Sequence, residues 1–156
     1  MVQKTISAIY CDDIRMEVGG KLSFMGVYNS DMIFPELPAV VPKLCAYVTI
    51  RLPYDEPPQH EVHVLLLNGD QILAEVKIDE ASLGAMGLPP PDHDVEPEDL
   101  SLRMSLNFVI SSIQVDAPIR IKLRAKVDGE EIKGDGLRIR TLTVEELSKV
   151  DPTAAQ

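Results

Sequence analysis

The feature that most constrains how this chain can fold is a two-residue alternation of apolar and polar side chains. From Lys43 to Leu52 the set Leu44, Ala46, Val48, Ile50 and Leu52 alternates with Lys43, Cys45, Tyr47, Thr49 and Arg51. Successive side chains of an extended strand point to opposite faces, so this pattern predicts a strand with one face buried and the other solvated. The same reasoning places Leu102, Met104, Leu106, Phe108 and Ile110 on one side of a strand over 101–110. It places Ile119, Ile121, Leu123, Ala125 and Val127 on one side of a strand over 119–127. Less regular alternation predicts further strands near 5–11, 22–28, 31–34, 60–67, 71–78 and 130–140.

Gly19-Gly20, Asn68-Gly69 and Asp128-Gly129 carry the turn chemistry of tight hairpins. Strands joined so closely run antiparallel. Eight or nine of them in 156 residues predict an all-β, antiparallel two-layer β-sandwich, with a closed barrel as the alternative. The sandwich is expected to occupy 1–142 as a single domain, followed by a short helix and tail over 143–156. Thr143-Val144-Glu145-Glu146 has the spacing of a capping box and marks the start of that helix, to about Val150. A second short helix is expected within Asp79–Met86. Residues 79–100 are read as an exposed acidic, Pro-rich insertion, because Pro89-Pro90-Pro91 excludes a regular ladder and the following acids repel one another.

Ile132 and Leu137 both suit an inward face, yet they lie five apart, which strict alternation would send to opposite faces. Gly134-Asp135-Gly136 between them is suited to a β-bulge that resets the phase.

Charge is unevenly distributed. The net charge of -10 argues against nonspecific attachment to nucleic acid or an anionic membrane. Residues 53–100 hold twelve acids against Lys77 alone, whereas residues 101–140 hold eight bases against five acids. The outward face of 119–127 reads Arg120, Lys122, Arg124 and Lys126, and beyond the expected bulge Arg138 and Arg140 join it. Neighbours two apart on a strand are separated by roughly 6.6 Å, inside a Debye length of about 8 Å, so this row requires anions. Either Glu130, Glu131 and the acidic insertion supply them internally, or an acidic protein partner or a phosphate-bearing ligand does. A second candidate surface is the strand Val62–Leu67, which is apolar on both faces. A two-residue turn at Asn68-Gly69 puts Val62, Val64 and Leu66 on one face with Leu73; a three-residue loop groups Leu65, Leu67 and Leu73 instead. Either register leaves an apolar face for the insertion, a neighbouring strand or another subunit to cover.

Enzymatic and metal chemistry find little support. His60 and His63, three apart on a strand, face opposite ways and do not chelate together. Asp92-His93-Asp94 with Glu96, Glu98 and Asp99 offers oxygen ligands but lacks the calcium-loop pattern. Asp12, Asp13 and Arg15 read as a salt-bridged strand end. Phosphate-loop, dinucleotide and nucleophile-elbow motifs are absent. With no Trp, three Phe and four Tyr, the chain is poorly supplied for a platform that stacks bases or sugars. Cys11 and Cys45 form no metal or redox motif and are expected to be reduced. The first ten residues lack the apolar core of a signal peptide, and no apolar run approaches a membrane span, so a cytoplasmic location is expected.

The run Asp12-Asp13-Ile14-Arg15, then Gly20-Lys21-Leu22-Ser23, Gly26-Val27-Tyr28, Leu37-Pro38 and Pro42-Lys43-Leu44, resembles a family of small bacterial and phage proteins without assigned function. Ile119-Arg120-Ile121 through Val127-Asp128-Gly129-Glu130 to Leu137-Arg138-Ile139 resembles that family's closing hairpin. The resemblance implies a β-sandwich and names no activity or ligand; it carries nothing onto residues 87–99.

These readings together predict a noncatalytic protein-binding or assembly module, without cofactor, that acts through the basic face or the apolar face. A protein partner or a homo-oligomer is expected, and direct nucleic-acid binding is not. The alternatives are an acidic accessory protein, of phage type, that inhibits a host nucleic-acid-handling factor through its carboxylates, and a metal-dependent enzyme.

Overall fold

The alternating segments assemble into two stacked sheets in a computed structural model, which describes residues 2–150. In chain order the strands are β1 (Thr5–Met16), β2 (Leu22–Tyr28), β3 (Asp31–Phe34), β4 (Ala39–Pro53), β5 (Glu61–Asn68), β6 (Gln71–Asp79), β7 (Ser101–Val115), β8 (Ile119–Val127) and β9 (Glu130–Thr141). The first sheet has the order β2-β1-β4-β7 and the second β3-β9-β8-β5-β6. This is the expected all-β sandwich, with nine strands among the described residues.

Neighbouring strands are antiparallel with one exception, because β3 runs parallel to β9. Turn chemistry could not reveal that pairing. The chain leaves the first sheet at Tyr28, lays β3 along the second sheet, and returns to the first in β4; the Ser30 carbonyl anchors the crossing by accepting the Arg138 N–H at 2.9 Å.

The inward faces are those the alternation selected. Leu44, Ala46, Val48, Ile50 and Leu52 of β4 are sealed from solvent, as are Val62, Val64 and Leu66 of β5 and Ile121, Leu123 and Ala125 of β8. Burial of each Val, Leu or Ile side chain stabilises the fold by about 1.5–3 kcal/mol.

The bulge lies where the phase argument requires it. Ile121 of β8 stands opposite Leu137 and Leu123 opposite Gly134, so two steps on β8 face three on β9. Ile132 and Leu137 consequently both reach the core. A Cβ on Gly136 would collide with the Ile121 carbonyl oxygen, which explains the residue chosen there.

Between β6 and β7 the chain passes from an edge of the second sheet to an edge of the first. Helix α1 (Glu80–Met86) begins this passage, with the Asp79 carboxylate accepting the Ser82 N–H at 2.8 Å. Leu83 packs against the core, whereas residues 84–99 are all exposed, including the one turn of 3-10 helix at Pro97–Asp99. Helix α2 (Val144–Val150) ends the described residues. Its capping box is formed: Thr143 N and Oγ1 donate to Glu146 Oε2 at 2.8 and 2.9 Å, and Glu146 N donates to Thr143 Oγ1 at 3.3 Å. The tail expected over 151–156 lies outside the described residues.

Candidate functional site

The outer face of the second sheet gathers most of the side chains singled out by sequence. Ile121, Leu123, Ala125 and Val127 enter the core, so their alternates on β8 turn outward: Arg120, Lys122 and Lys126 are exposed and Arg124 is half-buried. Two strands separate β8 from one sheet edge and two from the other, so this row crosses the middle of the face. Arg120 lies opposite Arg138, Arg124 opposite Lys133, and Lys126 between Glu131 and His63.

Of the six candidate bases, Arg138 and Arg140 of β9 form ion pairs within 4.0 Å among the described residues. Arg138 makes a two-pronged contact with Asp31, Nε to Oδ1 at 2.6 Å and a terminal nitrogen to Oδ2 at 3.0 Å. Arg140 contacts Asp31 at 3.1 Å and Glu146 through two bonds of 2.8 Å. Glu146 and then Asp31 push the Arg140 pKa above its already high value. Burial raises the Asp31 carboxyl, but Arg138 and Arg140 outweigh it and hold the pKa below the ordinary one.

The anions suggested by sequence go elsewhere. Glu130 engages Lys4 at 2.7 Å. Glu131 and the acids of 92–99 form no ion pair within 4.0 Å among the described residues. The capping box could have identified Glu146 as an ordered carboxylate, but no local pattern joins it to Arg140 or brings Asp31 across to β9. Arg120, Lys122, Arg124, Lys126 and Lys133 thus carry no ion pair among the described residues, even though Asp135 sits in the bulge opposite Lys122.

The candidate apolar face adjoins this row instead of forming a separate surface. Leu65 lies beside Arg124, and Leu67 beside Lys122. Leu73 does not join them: a register shift near the β5–β6 turn leaves it packed against the core, and Ile72 stands opposite Leu67 in its place. The turn itself is the two residues Gly69-Asp70, closed by the Asn68–Gln71 pair and one position later than expected, and Val62, Val64 and Leu66 share the core side with Leu73, the grouping expected of a two-residue turn. Leu65 is only 7% exposed, while Ile72 is 48% exposed. The composite surface is therefore a cationic row bordered by an aliphatic strip. Long Arg and Lys stems can cover such apolar neighbours while their charged ends stay in water.

Other groups are distributed differently. His60 and His63 approach separate carboxylates, Glu80 at 3.4 Å and Glu75 at 2.7 Å. Among the described residues, no three His, Cys, Asp or Glu side chains gather in a metal-binding cluster. Asp13 pairs with Lys43 at 2.5 Å and with Arg15 at 4.0 Å, while Asp12 accepts the Tyr28 hydroxyl. Sequence spacing hid the relationship of Cys11 and Cys45, which are direct cross-strand neighbours in β1 and β4. A groove of about 480 Å³ between α1 and the start of β7 is lined by Leu83, Met86, Leu88, Leu102 and Met104, with Glu80 and Arg103 at its border. No helix among the described residues is long and apolar enough to cross a membrane.

Comparison with known proteins adds a family and nothing further. No curated protein matches the chain, and no solved structure does. A family model described as a family of unknown function (DUF6941) matches residues 6–140, from the first core residue of β1 to Arg140 in β9. The two sheets and the basic row lie within that match, and the chain belongs to the DUF6941 family.

Proposed function

We propose that this protein is a noncatalytic binding module whose β8 row docks an anionic segment of a protein partner. The observation that carries the reading is the contrast between adjacent strands: Arg138 and Arg140 of β9 have carboxylate partners, whereas Arg120, Lys122 and Arg124 of β8 have none among the described residues. Like charges about 6.6 Å apart raise one another's energy, and an anion laid along them relieves that repulsion. Leu67 and Ile72 beside the row favour a segment that also carries small apolar side chains. The overall charge of -10 disfavours a nucleic-acid duplex. The proposed setting is the cytoplasm of a bacterial or phage-infected cell, following the resemblance of the turn-centred motifs.

The test uses a labelled peptide alternating Glu and Ala. It binds the full chain at low salt, and binding collapses near 0.5 M salt, where the Debye length falls to about 4 Å. The triple variant Arg120→Glu, Lys122→Glu, Arg124→Glu weakens binding at least about tenfold while its unfolding midpoint stays close to that of the parent. Equal binding by parent and variant refutes the reading.

A further inference from the structure

We infer that the anionic segment received by the β8 row is residues 92–99 of a second copy of this chain, an inference that rests on the binding reading above. Asp92, Asp94, Glu96 and Glu98 occupy alternate positions, as do Arg120, Lys122, Arg124 and Lys126. When extended, the acidic segment presents its charges at the same spacing of about 6.6 Å as the row. Both sets are exposed or half-buried, and neither has an ion-pair partner among the described residues. Exposed Met86 and Leu88 precede the acids and supply apolar groups for the strip beside the row.

A single copy is poorly arranged to satisfy both surfaces itself. The segment is tethered at both ends to Tyr54, which follows β4 of the first sheet: the Tyr54 hydroxyl donates to the Pro89 carbonyl at 2.8 Å, and the Tyr54 N–H to the Leu100 carbonyl at 3.2 Å. The basic row lies on the outer face of the second sheet, two strands in from the edge formed by β6. Between the tethers the acids are held only by local turns: the Val95 N–H reaches the Asp92 carbonyl at 3.3 Å, the Asp94 N–H the Asp92 carboxylate at 3.1 Å, the Asp99 N–H the Glu96 carbonyl at 2.9 Å and the Leu100 N–H the Pro97 carbonyl at 3.4 Å, so docking in extended form unwinds the 3-10 turn at Pro97–Asp99. The contact joins different surfaces on the two copies, so it is heterologous and propagates unless the rotation closes a ring.

Sedimentation of the full chain tests this. At low salt the average mass rises above 17.2 kDa with concentration, and at about 0.5 M salt it returns to the monomer value. The row variant Arg120→Glu, Lys122→Glu, Arg124→Glu and the segment variant Asp92→Asn, Asp94→Asn, Glu96→Gln, Glu98→Gln each remain monomeric. An equimolar mixture of the two associates to about twice the monomer mass, because one variant retains the acids and the other the row. Neutralising acids on a chain of charge -10 would promote association if net charge alone governed it, so loss in the segment variant is specific. A parent chain that stays monomeric, or a mixture that fails to associate, overturns the inference. If the Glu-Ala peptide still binds the row of a monomeric parent, the binding reading stands without it; if that peptide fails as well, both fall.

Discussion

The Tyr10 hydroxyl donates to the backbone carbonyl of Asp135 at 2.9 Å, which ties β1 of the first sheet to the bulge in β9 of the second. The bulge takes Asp135 out of the paired register, and the buried Tyr10 hydroxyl needs this carbonyl as its acceptor. Tyr10 is 3% exposed. Burial and then the Asp135 charge raise its pKa, so the phenol stays protonated and available as a donor across the ordinary pH range. Tyr10→Phe keeps the ring and deletes the donor. It should lower unfolding stability by about 1–3 kcal/mol with an unchanged denaturant slope. A loss below about 0.5 kcal/mol, the usual range for an inconsequential surface change, would mean that the carbonyl is satisfied without Tyr10.

Gly136 is constrained by space. A side chain there would drive its Cβ into the Ile121 carbonyl oxygen, and backbone at a sheet interior yields poorly. The nearest atom to a Cβ at Gly134 is the flexible end of Leu123, although the Ile6 carbonyl lies only 2.9 Å away. Gly136→Ala should therefore destabilise more than Gly134→Ala, with the former costing on the order of 3 kcal/mol. Equal unfolding midpoints for the two variants would contradict this ordering.

Helix α2 should detach in acid. Arg140, followed by the Thr143 N–H and hydroxyl, pulls the Glu146 carboxyl down to about 2 from an ordinary 4.5. A carboxyl depressed by folding contributes its stability above the ordinary value, and the contribution is lost as pH falls through the depressed one. Amide protection in residues 143–150, taken against the intrinsic exchange rate at each pH, should thus fall between about pH 4.5 and 2, while protection in β8 is less affected. Glu146→Gln should show the lower protection already at neutral pH. Identical exchange profiles for parent and variant would remove Glu146 from the anchor.

Much of this architecture was legible because strands write their buried face into every second residue. The phase break between Ile132 and Leu137 even located a bulge. What escaped depended on contacts between distant strands. Asp128 illustrates the difference: its turn with Gly129 was readable, but its carboxylate also accepts the N–H groups of Gln59, His60 and Glu61 at 2.8, 2.7 and 3.0 Å. No local spacing predicts that loop clamp. The outward direction of Arg120, Lys122 and Arg124 was likewise visible, whereas their difference from Arg138 and Arg140 depended on β3 bringing Asp31 across the sandwich. Leu73 shows the converse limit: alternation left its face open between two turn lengths, and only the position of the turn directed it to the core.

Cys11 and Cys45 face each other across β1 and β4, on the side of the first sheet opposite Tyr10 and Ala46, yet both are sealed from solvent. Phe24 of β2 meets Tyr47 of β4 at a ring separation of 5.3 Å although β1 lies between their strands. The thiols are free, and their sulfurs donate to the carbonyls of Asp13 at 3.4 Å and Asp12 at 3.7 Å. Burial, then the neighbouring Cys45, raises the Cys11 pKa and suppresses the thiolate that reacts. Ellman's reagent should leave both thiols unmodified in native buffer and modify both promptly in denaturant. Cys45→Ala should leave Cys11 equally protected, because Cys11 is itself sealed from solvent and its sulfur bonds to the Asp13 carbonyl, not to Cys45. Prompt modification of Cys11 in the native parent would instead require that β1 open locally without global unfolding.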